Sequence, residues 1–169
     1  MSHPRLTIRH GTPADYAATR QMVDDAFRPE DVVTFLDALR GDGCIMQEWV
    51  AEEAGDLVGH IIFSRVWLVE PDGQRHDAAI LTPLAVRPDR QRTGIGCILT
   101  QHALTELEAR GETLFVVLGH PDYYPRLGFS AQAAQCIQSP WPNEPAFMAR
   151  GALIPSSRLE MPSVIAEAH

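Results

Sequence analysis

The sequence predicts a mixed α/β fold, and three features of the chain support this prediction. Six short segments have the composition and alternation of β-strands, namely residues 6–9, 47–52, 57–64, 77–86, 113–118 and 146–150. An amphipathic helix separates the fourth of these segments from the fifth. The chain has 169 residues, which fits a single domain over residues 1–169. We therefore expect one sheet with helices packed against it.

Two helices are predicted between the first and second strands. Thr12 is expected as the N-cap of the first, with Pro13 at the first helical position and Asp15 in the place of the capping-box glutamate. This helix is expected to end at about Phe27. The second is predicted over residues 32–39 and ends at Gly41.

Turn residues define the strands that follow. Residues 53–56 predict an antiparallel hairpin between the second and third strands, and the third strand is expected to continue through residues 66–69. Pro83 interrupts the fourth strand. Because proline cannot donate a ladder hydrogen bond, it predicts a bulge and a locally opened ladder, although an ordinary bulge without a ligand fits equally well.

The third helix follows the fourth strand, and its apolar face is predicted to consist of Ile95, Leu99, Ala103, Leu104 and Leu107. Gly111 is expected as its C-cap. The next segment, residues 113–118, is almost entirely apolar, as in a strand that is buried on both faces. The fourth strand, this helix and the fifth strand therefore predict a right-handed crossover.

A polar turn containing two glycines, residues 87–96, joins the fourth strand to this helix. The first N–H groups of a helix have no internal partner and attract anions, and Gly94 and Gly96 let a phosphate approach the backbone. Arg87, Arg90 and Arg92 are expected to concentrate positive charge there. The glycine spacing alone is equally compatible with a structural turn. A dinucleotide loop would need a glycine in place of Leu99, and no P-loop motif occurs.

Two motifs resemble those of the GNAT superfamily of N-acetyltransferases. Residues 86–96, VRPDRQRTGIG, match V-x-P followed by [QR]-x-x-G-x-[GA], the acyl-CoA-binding motif of that family. Residues 124–129, YPRLGF, resemble its Y-x-[KR]-x-G-F signature. The two motifs occur in the family's order with a strand between them, and the resemblance covers about residues 6–148. Within the family, the segment GHPDYYPRLGF is most similar to the bacterial YhbS-like branch.

The resemblance implies the GNAT fold, which is a mostly antiparallel sheet of six to seven strands flanked by helices, with strands four and five splayed apart. It also implies acetyl-CoA as the cosubstrate, with its pantetheine arm at the opened edge of strand four. The cofactor-binding residues that it implies are Leu84, Ala85, Val86, Gln91, Arg92, Thr93, Gly94, Ile95, Gly96 and Cys97. The first two helices and their connection would border the acceptor site. Many family members carry an asparagine where this chain has Val117, which puts one hydrogen bond to the pantetheine arm in doubt.

The implied activity is the transfer of an acetyl group from acetyl-CoA to a primary amine of a small molecule or a protein. The absence of a G-x-S-x-G motif and of a convincing Cys–His pair favours direct attack in a ternary complex.

The resemblance places Tyr124 at the position that protonates the CoA thiolate, and Tyr123 is the adjacent alternative. The competing interpretation is that Tyr124 only anchors the core. A backbone N–H of strand four is expected to stabilise the oxyanion. For the general base, the sequence offers His120, Asp122 and Glu48 as candidates without choosing among them, and a water chain would also serve.

Composition narrows the classes of partner. Fourteen Lys and Arg against 22 Asp and Glu give a net charge of −8, which argues against nucleic-acid binding. No apolar run is long enough to span a membrane, and no signal-peptide core occurs, so a cytoplasmic protein is expected. The dispersed cysteines and histidines predict no metal site.

The alternative function is an acyl-CoA-binding regulatory module without transferase activity. The acceptor, the acyl chain length, the oligomeric state (a homodimer included) and the role of the tail from Ile154 are left open.

Overall fold

The computed structural model of the protein describes residues 5–27 and 31–168. The strands are β1 (Leu6–His10), β2 (Ile45–Glu53), β3 (Asp56–Val69), β4 (Arg75–Val86), β5 (Leu114–Leu118), β6 (Phe147–Gly151) and β7 (Arg158–Glu160). The helices are α1 (Tyr16–Ala26), α2 (Asp31–Asp42), α3 (Ile95–Ala109), α4 (Ala131–Ala134) and α5 (Ser163–Ala166). None of the helices in these residues has the length and apolar character needed to cross a membrane.

Within the described residues, seven strands form one sheet in the order β1-β2-β3-β4-β5-β6, and β7 pairs with β3. The pairs β1/β2, β3/β7 and β5/β6 are antiparallel, whereas β4/β5 is parallel. The predicted mixed, mostly antiparallel sheet is confirmed. The parallel ladder pairs Ala79–Leu81 with Phe115–Val117, and β4 continues to Val86 beyond its last pair. The bulge at Pro83 stays a prediction.

The described chain divides into two compact units. The first contains the described residues up to Phe63 together with Pro83–Glu106, and the second contains Ser64–Thr82 together with the described residues from Leu107 onward. The predicted cofactor-binding residues belong to the first unit and Tyr124 belongs to the second. That the chain forms a single domain stays a prediction.

In the first unit, helices cover both faces of the sheet. Helices α1 and α2 contribute Met22, Val23, Val33 and Leu36 to a core cluster with Ile62 of β3 and Ala85 of β4. Helix α3 packs on the opposite face, where a Cβ built on Gly59 would lie 3.1 Å from Ile95 and 3.2 Å from Leu99. Gly59 and Ile62 are three residues apart on β3, so they point to opposite faces.

The first two helices differ from their predictions at the ends. The chain begins to turn at Thr12 as expected, but Pro13–Asp15 forms a 3₁₀ turn before α1 starts. The Asp15 carboxylate accepts a hydrogen bond from the Thr12 N–H at 2.8 Å, as a capping box requires. Helix α2 continues past Gly41 to Asp42, because the left-handed residue that ends it is Gly43, with φ of +79°. Residues 28–30 of the helix connection, which the family resemblance assigns to the acceptor site, lie outside the described residues.

The β2–β3 hairpin has a two-residue turn in which both residues are left-handed. Ala54 has φ of +51° and Gly55 has φ of +84°, which is the pattern of a type I′ turn. The expected continuation of β3 to Val69 is confirmed. Long paired strands on both sides of this tight turn keep β2 and β3 in register.

Helix α3 has the predicted apolar face, and all five of its residues are buried. Gly111 has φ of +95°, and its N–H donates to the carbonyl of Glu108 at 3.0 Å, so it ends the helix as expected. The tail beyond Ile154, which the sequence left unplaced, forms β7 and α5. Strand β7 pairs residue by residue with Trp67–Val69 of β3.

Candidate functional site

The turn that follows β4 opens directly onto the N-terminus of α3. Gly94 is the N-cap, since its carbonyl accepts the first hydrogen bond of the helix, from the N–H of Ile98 at 3.1 Å. The N–H groups of Ile95, Gly96 and Cys97 therefore precede the helical hydrogen-bond ladder. Gly94 has φ of +90°, and a Cβ built on it would meet no atom within 4 Å. Open space thus lies beside backbone donors, which fits the diphosphate of acetyl-CoA.

Two side chains hold this turn in shape. The Gln91 amide donates to the carbonyl of Val86 at 3.1 Å and so ties the turn back to the end of β4. The Thr93 hydroxyl donates to the carbonyl of Arg90 at 2.5 Å. Arg92, between them, has φ of +64°, a left-handed conformation that is uncommon for a residue other than glycine. Strain of this kind occurs preferentially at ligand-binding loops.

The expectation that three arginines supply positive charge here is wrong for two of them. Arg87 makes two hydrogen bonds to the Asp89 carboxylate, at 2.6 and 3.1 Å. Arg90 donates to Glu53 at 2.8 Å. Arg92 forms no ion pair or side-chain hydrogen bond with any residue of the described chain. Ion pairing cannot be read from the sequence, and among these three arginines only Arg92 has a charge that no carboxylate of the described residues offsets.

The last residues of β4 lead directly into this turn and differ in burial. Ala85 belongs to the core cluster under α1 and α2, whereas Leu84 and Val86 are half-buried. Strand alternation places these two side chains on the face opposite to that of Ala85. The turn and the strand end therefore bring all ten predicted cofactor-binding residues, Leu84 to Val86 and Gln91 to Cys97, together in the first unit.

Tyr124 lies in the second unit, at the start of a 3₁₀ turn, and is 6% exposed. Its ring makes edge-to-face contacts with Tyr123, at a centroid distance of 4.9 Å, and with Phe129, at 5.8 Å. The motif glycine Gly128 has φ of +86° and ends this turn. The Y-x-[KR]-x-G-F signature is thus a short turn that buries one tyrosine ring among aromatic side chains.

The three candidate bases occupy different environments. His120 and Asp122 are exposed, and their segment contacts the tyrosines through hydrogen bonds from the N–H groups of Tyr123 and Tyr124 to the carbonyl of His120. Glu48 is instead part of a buried network. Its Oε1 atom accepts from Arg40 at 2.9 Å and faces Nε2 of His60 at 2.8 Å.

This buried network joins α1 and α2 to the sheet. Arg40 of α2 also donates to the Thr19 hydroxyl of α1 at 2.9 Å and stacks on the ring of Tyr16, with its Cζ atom 3.9 Å from the centroid. His60 on β3 is fully buried, and its Nδ1 atom has no hydrogen-bond partner among the described residues. A carboxylate only accepts, so the proton of the neutral imidazole lies on Nε2.

Charge pairing makes Glu48 a weak base. Burial alone would raise the pKa of its carboxyl, but the hydrogen bonds from His60 and Arg40 bring that pKa below its ordinary value. Burial lowers the pKa of His60 by more than the adjacent Glu48 carboxylate raises it. Glu48 is therefore ionised and engaged by its partners, which is the arrangement of a structural ion pair.

The neutral state of buried His60 predicts a pH-dependent stability. Because its pKa in the folded protein is below the ordinary value of about 6.5, the unfolded chain binds a proton that the folded chain excludes. The free energy of unfolding is expected to fall as the pH drops from 7 to 5.5, and less steeply in His60→Gln. Urea denaturation of both proteins at the two pH values measures this. Equal slopes would contradict the assignment.

The sequence profile described as the acetyltransferase (GNAT) family matches residues 15–129, which is more than half of the chain. The chain belongs to the GNAT acetyltransferase family. The predicted class of enzyme, an acyltransferase, is confirmed at this level. The matched range includes both the turn before α3 and the tyrosine signature.

Two curated relatives are the N-acetyltransferases YjhQ and YhbS of Escherichia coli strain K12, both described as uncharacterized. YjhQ is 41% identical over 81 residues, which cover 47% of this chain and 44% of YjhQ, so the chain spans less than half of that relative. YhbS is 28% identical over 144 residues, which cover 84% of each chain. The predicted likeness to the YhbS-like branch is confirmed.

Solved GNAT structures share the fold over almost the whole chain. A GNAT family acetyltransferase from Brucella melitensis, solved in complex with acetyl-CoA, has a TM-score of 0.79 at 30% identity and covers 96% of this chain and 99% of its own. YhbS from Escherichia coli, solved in complex with CoA, has a TM-score of 0.86 at 24% identity and covers 98% and 94%. These structural matches confirm the fold that was predicted from the sequence.

The network around Glu48 was not predicted from the sequence. Arg40, Glu48 and His60 come from a helix and two strands, and no motif spacing links them. The signals that the sequence did contain were Glu48 in a predicted strand and His60 within the apolar run of β3. In the part of the chain that the structure describes, no group of three or more His, Cys, Asp or Glu residues is arranged to hold a metal ion.

Proposed function

We propose that the protein is an N-acetyltransferase that transfers the acetyl group of acetyl-CoA to a primary amine by direct attack. The observation that carries this proposal is the turn before α3, where left-handed Gly94 faces open space beside the first N–H groups of the helix. These donors suit a diphosphate. The acetyl-CoA bound to the Brucella melitensis relative supports the same choice of cosubstrate.

The reaction needs no covalent enzyme intermediate. The neutral amine attacks the thioester carbonyl to form a tetrahedral oxyanion, and the nitrogen loses its extra proton to solvent water. The carbon–sulfur bond then breaks, which gives the amide and releases the CoA thiolate. A backbone N–H of β4 near Leu84 is proposed to stabilise the oxyanion. Tyr124 is proposed to donate its phenolic proton to the thiolate, since a phenol with pKa near 10 is a suitable donor. The buried aromatic surroundings of Tyr124 support this role by holding the ring in one orientation.

The test of the proposed function is thiol release from acetyl-CoA in the presence of a panel of primary amines. The panel contains polyamines, amino acids, aminoglycosides and peptides with a free lysine or α-amine. Tyr124→Phe removes the proposed proton donor and is expected to lower turnover by roughly 100-fold, within the range of general acid catalysis. Calorimetric titration is expected to show unchanged acetyl-CoA affinity for this variant. Binding without thiol release would support the regulatory module; no binding by the wild type would overturn both.

Arg92 is predicted to be the arginine that contributes to acetyl-CoA affinity. Arg92→Ala is expected to weaken binding by up to about 1 kcal/mol, roughly fivefold, because an exposed charge pair contributes no more than this. Arg90→Ala is the matched control, since Glu53 already offsets its charge. Titrations at low and high salt measure both variants, and the difference between them should shrink at high salt. Equal losses for the two variants would contradict the assignment.

A further inference from the structure

We propose that Gly119 is a positioning residue, which holds the ring of Tyr124 in place for proton transfer to the CoA thiolate. This inference rests on the proposed function of Tyr124 as the general acid. Gly119 is the residue that follows β5, five positions before the tyrosine. A Cβ built on Gly119 would lie 2.4 Å from Cε2 of Tyr124, 3.1 Å from Cδ2 and 3.3 Å from Cζ. The tyrosine ring therefore occupies the space that any side chain at position 119 would need.

The backbone of Gly119 does not itself require glycine. Its φ lies outside the left-handed region, unlike the φ of Gly94, Gly111 or Gly128. The requirement comes instead from the ring that lies against it. This distinguishes Gly119 from the turn glycines of the chain, whose role is conformational.

Both sides of the contact are held in place. The N–H of Gly119 donates to the carbonyl of Ala146 at 2.9 Å, next to the β5–β6 ladder. The Tyr124 ring is enclosed by the edge-to-face contacts with Tyr123 and Phe129. A methyl group at position 119 must therefore displace the ring.

The displacement is large enough to matter for catalysis. Carbon atoms in contact lie about 3.5–4.0 Å apart, so the ring has to move by at least about 1 Å. A shift of about 1 Å in a catalytic group can lower the rate by roughly 100-fold. Gly119→Ala is accordingly expected to lower kcat by 10- to 100-fold, while the affinity for acetyl-CoA stays within about threefold of the wild type.

A double-mutant cycle separates this role from a general loss of structure. Gly119→Ala, Tyr124→Phe and the double variant are compared by thiol release from acetyl-CoA with the same amine panel. If Gly119 acts through the phenol, then Gly119→Ala has no further effect on kcat in the Tyr124→Phe background. Losses that add in the double variant, or an unchanged kcat in Gly119→Ala, would overturn the proposal.

A second readout does not depend on turnover. The chain contains three tyrosines, so 3-fluorotyrosine labelling gives three ¹⁹F resonances, and the one missing from Tyr124→Phe belongs to Tyr124. Gly119→Ala is expected to shift this resonance and to leave that of Tyr16 on α1 unchanged. An unshifted Tyr124 resonance would overturn the proposal. If Tyr124→Phe leaves turnover unchanged, Tyr124 is not the general acid. A shifted Tyr124 resonance in Gly119→Ala then shows only a structural contact, and the positioning role of Gly119 is overturned as well.

Discussion

Gly94→Glu is expected to abolish the binding of acetyl-CoA, with a loss of at least about 100-fold or ~2.7 kcal/mol in affinity. The substitution places a carboxylate in the open space at the N-terminus of α3, beside the N–H groups assigned to the diphosphate. The new negative charge would occupy those donors and repel the phosphates. Calorimetric titration of acetyl-CoA, with free CoA as a second ligand, measures the loss.

The chain offers a matched control for this substitution. Gly73, in the turn between β3 and β4, has φ of +91°, compared with +90° for Gly94, and a Cβ on either would meet no atom within 4 Å. Both glutamate variants therefore carry the same backbone strain of about 1–3 kcal/mol. Gly73→Glu is expected to bind acetyl-CoA like the wild type. If the two variants bind equally well, or lose affinity equally, the phosphate site is not at Gly94.

Glu48→Ala is expected to destabilise the fold by about 3–5 kcal/mol, because it leaves the Arg40 guanidinium buried without its counter-ion. It also removes the acceptor that faces Nε2 of His60. Urea denaturation should show a lower midpoint with an unchanged m-value. An effect of this size would make Glu48 a structural residue, which removes it from the candidate bases.

The exposed ion pair Arg20–Asp37 provides the control for Glu48→Ala. It joins the same two helices, but the two side chains are 54% and 49% exposed. Asp37→Ala is therefore expected to cost at most about 1 kcal/mol. A loss for Glu48→Ala as small as that for Asp37→Ala would contradict the description of the Glu48 network as a buried ion pair.

Much of the fold was predictable because its signals are local. The apolar face of α3, its C-cap at Gly111 and the β2–β3 hairpin depend on residues within one or two turns of each other along the chain. The end of α2 was not predictable from the sequence, since Gly41 and Gly43 are both suitable helix terminators. Backbone conformation decides between them, and only Gly43 is left-handed. The tail from Ile154 carried no periodic signal, because β7 has three residues and depends on its pairing with β3.

The candidate site also combines features that the sequence predicts with features that depend on tertiary contacts. By itself, the sequence determined that residues 84–97 form a strand end, a glycine turn and a helix N-terminus, because these features follow from neighbouring residues and from the two family motifs. Only the tertiary structure decided which charges are available. Arg90 is offset by Glu53, a partner 37 positions away, and Glu48 is engaged by Arg40 and His60. The contact between Gly119 and Tyr124 could not be predicted from the sequence either. Side-chain packing of this kind depends on the tertiary path of the chain, which no local motif specifies.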